Sequence, residues 1–175
     1  MRITSPAFRD GEYIPRQYSK SAEDKSPPLQ ISDVPVNTRS LALIMDDPDA
    51  PSGTFTHWIV FDLDAKTTEI GEDHAPRNAR QGTNDYGDAE YGGPQPPSGV
   101  HRYYFHLYAL HTKLDLPRGS TRQEVEEAME GHVIDTAELM GRYAAERQPV
   151  MRECMGIAVV TPATDLSTAG HRIPR

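Results

Sequence analysis

The run Leu41-Ala42-Leu43-Ile44-Met45 stops abruptly at Asp46-Asp47-Pro48-Asp49-Ala50-Pro51, and this junction constrains the fold more than any other part of the chain. Five consecutive apolar residues bounded by turn formers are the pattern of a strand buried on both faces, and Asp-Pro forces the chain out of a helix. The stretch Thr54-Phe55-Thr56-His57-Trp58-Ile59-Val60-Phe61 follows shortly after. Both flanks of the acidic turn therefore read as strands, with its carboxylates at a strand end. Asp47, Asp49 and His57 are placed to converge at one rim of a sheet.

A second cluster, Gly92-Gly93-Pro94-Gln95-Pro96-Pro97-Ser98-Gly99-Val100-His101-Arg102-Tyr103, sets a loop of restricted backbone directly before two side chains that can hold an anion. Glycine and proline fix peptide groups in orientations that ordinary residues resist, so such a loop can aim its dipoles at a ligand. From residue 101 to 110 the sequence alternates. His101, Tyr103, Phe105, Leu107 and Ala109 share one face and Arg102, Tyr104, His106, Tyr108 and Leu110 the other, as a strand requires. His101 and Tyr103 can thus form a cavity wall that Phe105 and Leu107 continue into a core.

Elsewhere the signals are plainer. The first forty residues read as short edge strands and loops, and residues 66–88 as a long polar connection leading into the Gly-Pro loop. Asn84 and Tyr86 are its candidates for polar contacts. Thr121 followed by Glu124 is a capping box, and Val125, Ala128, Met129, His132, Val133, Thr136, Leu139, Met140 and Tyr143 recur at helical spacing, with Gly131 interrupting or dividing the helix. His132 then lies on an apolar stripe as a packing residue. His106 and His111 do not recur at helical ligand spacing, so no metal or cofactor is expected.

Composition sets outer limits. A chain of 175 residues is one domain's worth, and a formal net charge of −8 argues against nucleic acid as a partner, because duplex binding needs a dense basic face. No apolar run approaches the roughly 20 residues that span a bilayer, and the N-terminus lacks a signal-peptide core. The single cysteine, Cys154, cannot form an intrachain disulfide. A cytoplasmic location is the expectation.

Taken together, Asp47-Pro48-Asp49-Ala50-Pro51, His57-Trp58-Ile59-Val60 and the segment from Tyr91 to Tyr103 resemble the phosphatidylethanolamine-binding protein family, and in spacing its bacterial and archaeal Raf-kinase-inhibitor-like branch. The resemblance runs from about Ser5 to Tyr143 and includes Ile14-Pro15-Arg16-Gln17-Tyr18, Ser26-Pro27-Pro28-Leu29 and Gly131-His132. It implies a mainly β fold, a Greek-key β-sandwich of two antiparallel sheets with a short C-terminal helical region covering one end. Residues 1–146 would form this domain and residues 147–175 an extension of uncertain structure. The apolar run of the extension, Met155 to Val160, could add a strand, cover a patch or dock on a second copy in a homodimer.

The resemblance also implies a small anion cavity. Asp47, His57 and His101 would be its polar wall, with Gly93, Pro96 and Tyr103 shaping it. Asp49 and Arg102 would be a buried or half-buried structural pair joining the two motif loops. Gln95, where many relatives have glycine, would alter the mouth. The expected ligand is a phosphate-like or carboxylate group, and the expected output is regulation by binding, without turnover. An imidazole beside Asp47 gains a proton readily, so binding should strengthen below neutral pH. Two alternatives stand beside this reading. One is a kinase or protease inhibitor, or a scaffold, acting through its surface. The other is a weak hydrolase using Asp47, His57 and His101, disfavoured by the lack of a Gly-x-Ser-x-Gly or comparable nucleophile context.

Overall fold

The structure, a computed structural model, describes residues 1–147. Two antiparallel sheets face each other. The smaller is formed by β1 (Arg2–Thr4), β2 (Leu29–Ser32) and β5 (Glu69–Ile70), in the order β1-β2-β5. The larger contains β3 (Ser40–Asp47), β4 (Phe55–Asp64), β6 (Arg80–Gln81), β7 (Val100–Leu110) and β8 (Val133–Ala144), in the order β6-β4-β3-β7-β8. After β4 the chain leaves for the smaller sheet as β5 and returns at the edge as β6. It then crosses to the far side of β3 as β7, which gives the Greek-key sandwich its long connection.

The apolar run predicted to be buried on both faces is so, and the reason is visible in its neighbours. Leu41, Leu43 and Met45 enter the core between the sheets with Trp58, Val60, Phe105, Leu107 and residues of the smaller sheet such as Leu29, Ile31 and Ile70. Ala42 and Ile44 face the other way and pack with Ile59, Phe61, Val125 and Met129. Val125 and Met129 belong to α1 (Arg122–Met129), which covers that outer face. Its start is the predicted capping box: Thr121 Oγ1 accepts the Glu124 amide at 3.3 Å, and the Glu124 carboxylate accepts the Thr121 amide at 2.7 Å.

The helix is shorter than the spacing predicts. It ends at Met129, and residues 133–144, expected to continue it or to form its second half, are the edge strand β8. β8 pairs with β7 from Val100↔Ala144 to Leu110↔Val133. Leu139, Gly141 and Tyr143 are its buried positions. The period of two is hidden in the sequence because Gly141 stands at the middle inward site. A Cβ there would lie 2.5 Å from Ile14 Cγ1 and 2.8 Å from the Phe8 ring, so the N-terminal segment fills the space a larger residue would need. That segment also covers the free edge of β8: Gly11 N–H donates to Met140 O, Ile14 N–H to Arg142 O, and Arg142 N–H to Glu12 O. The connection 66–88 is likewise less irregular than expected, carrying β5 and β6.

The extension expected over residues 147–175, including its apolar run, lies outside the described residues apart from Arg147. Among the described residues no helix is long and apolar enough to cross a membrane.

Candidate functional site

The cavity forms where β3, β4 and β7 end together under the Gly-Pro loop, and one irregularity in β4 completes it. Met45 pairs with Trp58, but the next residue of β3, Asp46, pairs with Thr56, so His57 is the extra residue of a β-bulge. Strict alternation would send His57 to the α1 side with Ile59 and Phe61. The bulge instead turns it toward the cavity, beside Phe55 and opposite Asp47. Its backbone carbonyl, freed from the ladder, accepts from Gly92 N–H at 3.0 Å and Asn84 Nδ2 at 3.3 Å.

The cavity encloses about 180 Å³ and is lined by Asp47, Ala50, Pro51, Phe55, His57, Tyr86, Gln95, Pro97, His101 and Tyr103. Asp47, His57 and His101 are 3%, 3% and 7% exposed, so their polar atoms act in a poorly hydrated niche. Asp47 is doubly committed. Its Oδ1 accepts the Asp49 amide at 2.8 Å, tightening the Asp-Pro turn, and its Oδ2 meets His101 Nδ1 at 2.6 Å. That bond places a proton on Nδ1 and leaves Nε2 of His101 without a partner among the described residues.

His57 is held by a different acceptor. Its Nδ1 lies 2.7 Å from Gly92 O, and because a carbonyl can only accept, Nδ1 carries the proton. Phe55, Tyr86 and Tyr103 surround the ring at centroid distances of 4.9, 5.6 and 5.2 Å. Burial pushes the His57 pKa below its ordinary value, with the Gly92 carbonyl and Asp47 opposing it less strongly. For His57 this corrects the expectation that an imidazole of the pocket readily gains a proton. At neutral pH His57 is uncharged and its Nε2 is an acceptor.

Tyr103 contributes the third polar group. Its hydroxyl is one of two buried side-chain polar atoms without a hydrogen-bond partner among the described residues, the other being Thr38 Oγ1. It stands near the Asp47 carboxylate and the Gln95 amide without hydrogen-bond geometry to either, and burial followed by the charge of Asp47 raises its pKa well above the ordinary range. A buried hydroxyl with no partner is costly, so its location at a cavity wall has chemical content.

Other expected residues stand behind the wall. Gly93 shapes the site by close approach: a Cβ there would collide with Tyr18 O and come within 2.8 Å of the Lys20 amide. Its N–H donates to Asp24 Oδ1 at 2.7 Å, and Lys20 N–H donates to Pro94 O, so residues 18–24 clamp the loop. Pro96 is buried and borders an adjacent groove, whereas Pro97 faces the cavity. Gln95 lines the mouth, as its position suggests. Asp49 and Arg102 do join the motif loops, through Arg102 Nε and Nη2 at 2.9 and 2.8 Å. The pair is not buried: the Arg102 side chain is 50% exposed and that of Asp49 28%. Arg102 still draws the Asp49 pKa down to about 2.

Phe55 and Tyr86 are the lining residues that sequence reasoning did not assign to the wall. Phe55 sits two residues before His57, and the bulge is what turns both toward the cavity. Tyr86 is delivered by Asn84, whose Oδ1 accepts from the amides of Tyr86 and Asp88 and whose Nδ2 donates to Glu90 O. The Tyr86 hydroxyl donates to Gly93 O at 3.0 Å. Asn84 and Tyr86 thus make the polar contacts expected of them, with Asn84 organising the loop.

Comparison with known proteins agrees with this geometry. The model of the phosphatidylethanolamine-binding protein family matches residues 4–144. A UPF0098 protein of Methanothermobacter thermautotrophicus is 48% identical over 148 residues, which span 82% of this chain and 98% of that one. Another, from Aquifex aeolicus, is 45% identical over 150 residues, 82% and 88% of the two chains. A crystal structure described as a phosphatidylethanolamine-binding protein homolog of Chlamydia trachomatis superposes with a TM-score of 0.79 at 43% identity, covering 83% of this chain and 97% of that one. E. coli YBCL, described as a member of the mammalian family of that name, gives 0.78 at 32% identity, covering 83% and 98%. On matches of this extent in sequence and structure, the chain belongs to the phosphatidylethanolamine-binding protein family.

Proposed function

We propose that the chain is a small-anion-binding protein that acts by occupancy of this cavity, taking up a phosphate-like or carboxylate group and regulating through binding. The observation that carries the reading is that His57, His101 and Tyr103, whose buried hydroxyl has no partner among the described residues, line one niche. Drug-sized ligands occupy pockets of about 300–1,000 Å³, so the cavity suits a headgroup.

Among the described residues no lysine or arginine lines it, and Asp47 contributes a negative charge. An anion therefore enters with a proton, either on itself or taken up by an imidazole, and donates to or accepts from Nε2 of His57 and His101. Tyr103 supplies a hydrogen bond that costs nothing elsewhere. Turnover is not part of the reading. Among the described residues the lining has no serine, threonine or cysteine nucleophile, and Asp47 already holds His101 and the acidic turn.

Isothermal titration with inorganic phosphate and with acetate, between about pH 5.5 and 8 in two buffers of different ionisation enthalpy, tests this. Acetate stays ionised across that range, so strengthening of its binding on acidification reports protonation of the protein. The expected result is proton uptake on binding, tighter binding at low pH, and weakening in His57→Ala and His101→Ala. Absence of binding at millimolar anion, or binding indifferent to both substitutions, would overturn it.

A further inference from the structure

At the ends of β7 and β8 remote from the cavity, the chain brings together two histidines that the sequence keeps apart. His111 follows the last residue of β7 and His132 precedes the first of β8. Leu110 pairs with Val133, so His111 and His132 occupy the next cross-strand position, and His111 N–H donates to His132 O at 3.1 Å. Their side chains meet: His111 Nε2 lies 3.3 Å from His132 Nδ1, with ring centroids 4.7 Å apart and planes at 72°.

We infer that His111 and His132 form a two-histidine site for a divalent transition metal, zinc being the simplest probe. Two nitrogens bound to one tetrahedral zinc at about 2.0–2.1 Å lie roughly 3.3 Å apart, which is the separation already present. The backbone holds the two residues side by side. The His132 amide donates to Met129 O at the end of α1, Gly131 takes a φ of +76° to let the chain turn there, and the 111–132 hydrogen bond ties the two Cα positions. Little has to be ordered when a metal arrives.

The tautomers can adapt without net proton release. With the protons on His111 Nδ1 and His132 Nε2, both facing nitrogens are lone-pair donors, and the metal replaces the N–H···N contact together with the long contact, 3.4 Å, between His111 Nε2 and Gly131 O. His111 is exposed and His132 partly so, leaving room for water in the remaining positions. Water is needed, because no third His, Cys, Asp or Glu completes a cluster among the described residues. A net charge of −8 favours a cation. Imidazole pairs bind copper(II) more strongly than nickel(II) or zinc(II), so the same order is expected here.

The test uses the full chain without a histidine tag, titrated with ZnCl2 and CuCl2 in a non-coordinating buffer at about pH 7.5 and followed by calorimetry and histidine NMR signals. One metal per chain is expected, with the His111 and His132 resonances moving together and the affinity falling about tenfold or more in either His111→Gln or His132→Gln. Both residues are at the surface, and an unchanged melting temperature without metal shows that the variants are folded. Binding of equal strength in the double variant would overturn the proposal. So would loss of binding in His101→Ala with retention in the double variant, or no saturable binding at millimolar zinc.

Discussion

Asp46 and Asp47 are neighbours in sequence and serve opposite faces of one sheet. Asp47 points to the cavity and holds His101, whereas Asp46 points to the α1 side, where Arg122 Nη1 lies 2.9 Å from its Oδ2 and His106 Nε2 3.2 Å from its Oδ1. Arg122 also reaches Thr56 Oγ1 and Glu126, and His106 Nδ1 meets Glu138 at 3.1 Å. Asp46 is therefore the hub of a network linking β3, β4, β7, β8 and α1, directly behind the cavity wall.

Asp47→Ala removes two hydrogen bonds from a buried position. Loss of the turn amide's acceptor and of the partner of His101 Nδ1 is expected to cost about 1–3 kcal/mol in urea unfolding. Phosphate affinity should drop as well, because His101 loses its orientation. Unchanged stability would show that water replaces the carboxylate without penalty.

Tyr103→Phe separates binding from folding. The hydroxyl has no protein partner, so its removal should leave the unliganded protein as stable as before or raise its stability by about 1 kcal/mol. The increase in melting temperature produced by phosphate should shrink. A clear destabilisation without ligand would mean that the hydroxyl is already satisfied.

Two histidines predict a pH optimum of stability near their ordinary pKa of 6.5. His57, depressed by burial, binds fewer protons folded than unfolded below that value, so stability rises as pH increases through the interval up to 6.5. His106 is raised, mainly by its hydrogen bond to Asp46, so its contribution is complete below 6.5 and is lost as pH climbs through its folded pKa. Asp46, lowered by His106 and Arg122 against its own desolvation, adds stability above 3.8 that disappears as pH falls through its folded pKa. Urea titrations across this range should show the maximum. His106→Gln should flatten its alkaline side and His57→Phe its acidic side.

Gly93→Ala is expected to destabilise by about 2 kcal/mol or more. The added methyl meets backbone atoms of Tyr18 and Lys20, which cannot rotate away. Thermal unfolding measures the loss, and weakened phosphate binding would accompany it as the loop shifts.

Much of the wall was legible in the sequence because it follows regular alternation. His101, Tyr103, Phe105 and Leu107 fall on one side of β7 as spacing requires, and the doubly buried β3 is announced by its unbroken apolar run. Legibility ended where regularity did. The convergence of Asp47 and His57 was readable from the strand–turn–strand pattern, but the bulge at His57 has no sequence signature, so the addition of Phe55 to the wall follows only from the register of β3 on β4. β8 imitated a helix because Val133, Thr136, Leu139, Met140 and Tyr143 satisfy a helical period, while Gly141 removed the apolar residue that would have exposed alternation. That misreading also concealed the His111–His132 contact, which exists only if residue 132 leads into a strand.

The extra residue in β4 makes the pocket a one-residue edit of an otherwise generic scaffold. Deleting residue 57 would restore regular pairing at the cavity end of the ladder, where a second register shift between Leu41 and Leu43 would remain, and would let Trp58, Val60 and their partners pack as before. A lineage could thereby lose the His57 side of the cavity while retaining a folded shell, and variation in the niche need not trace variation in architecture.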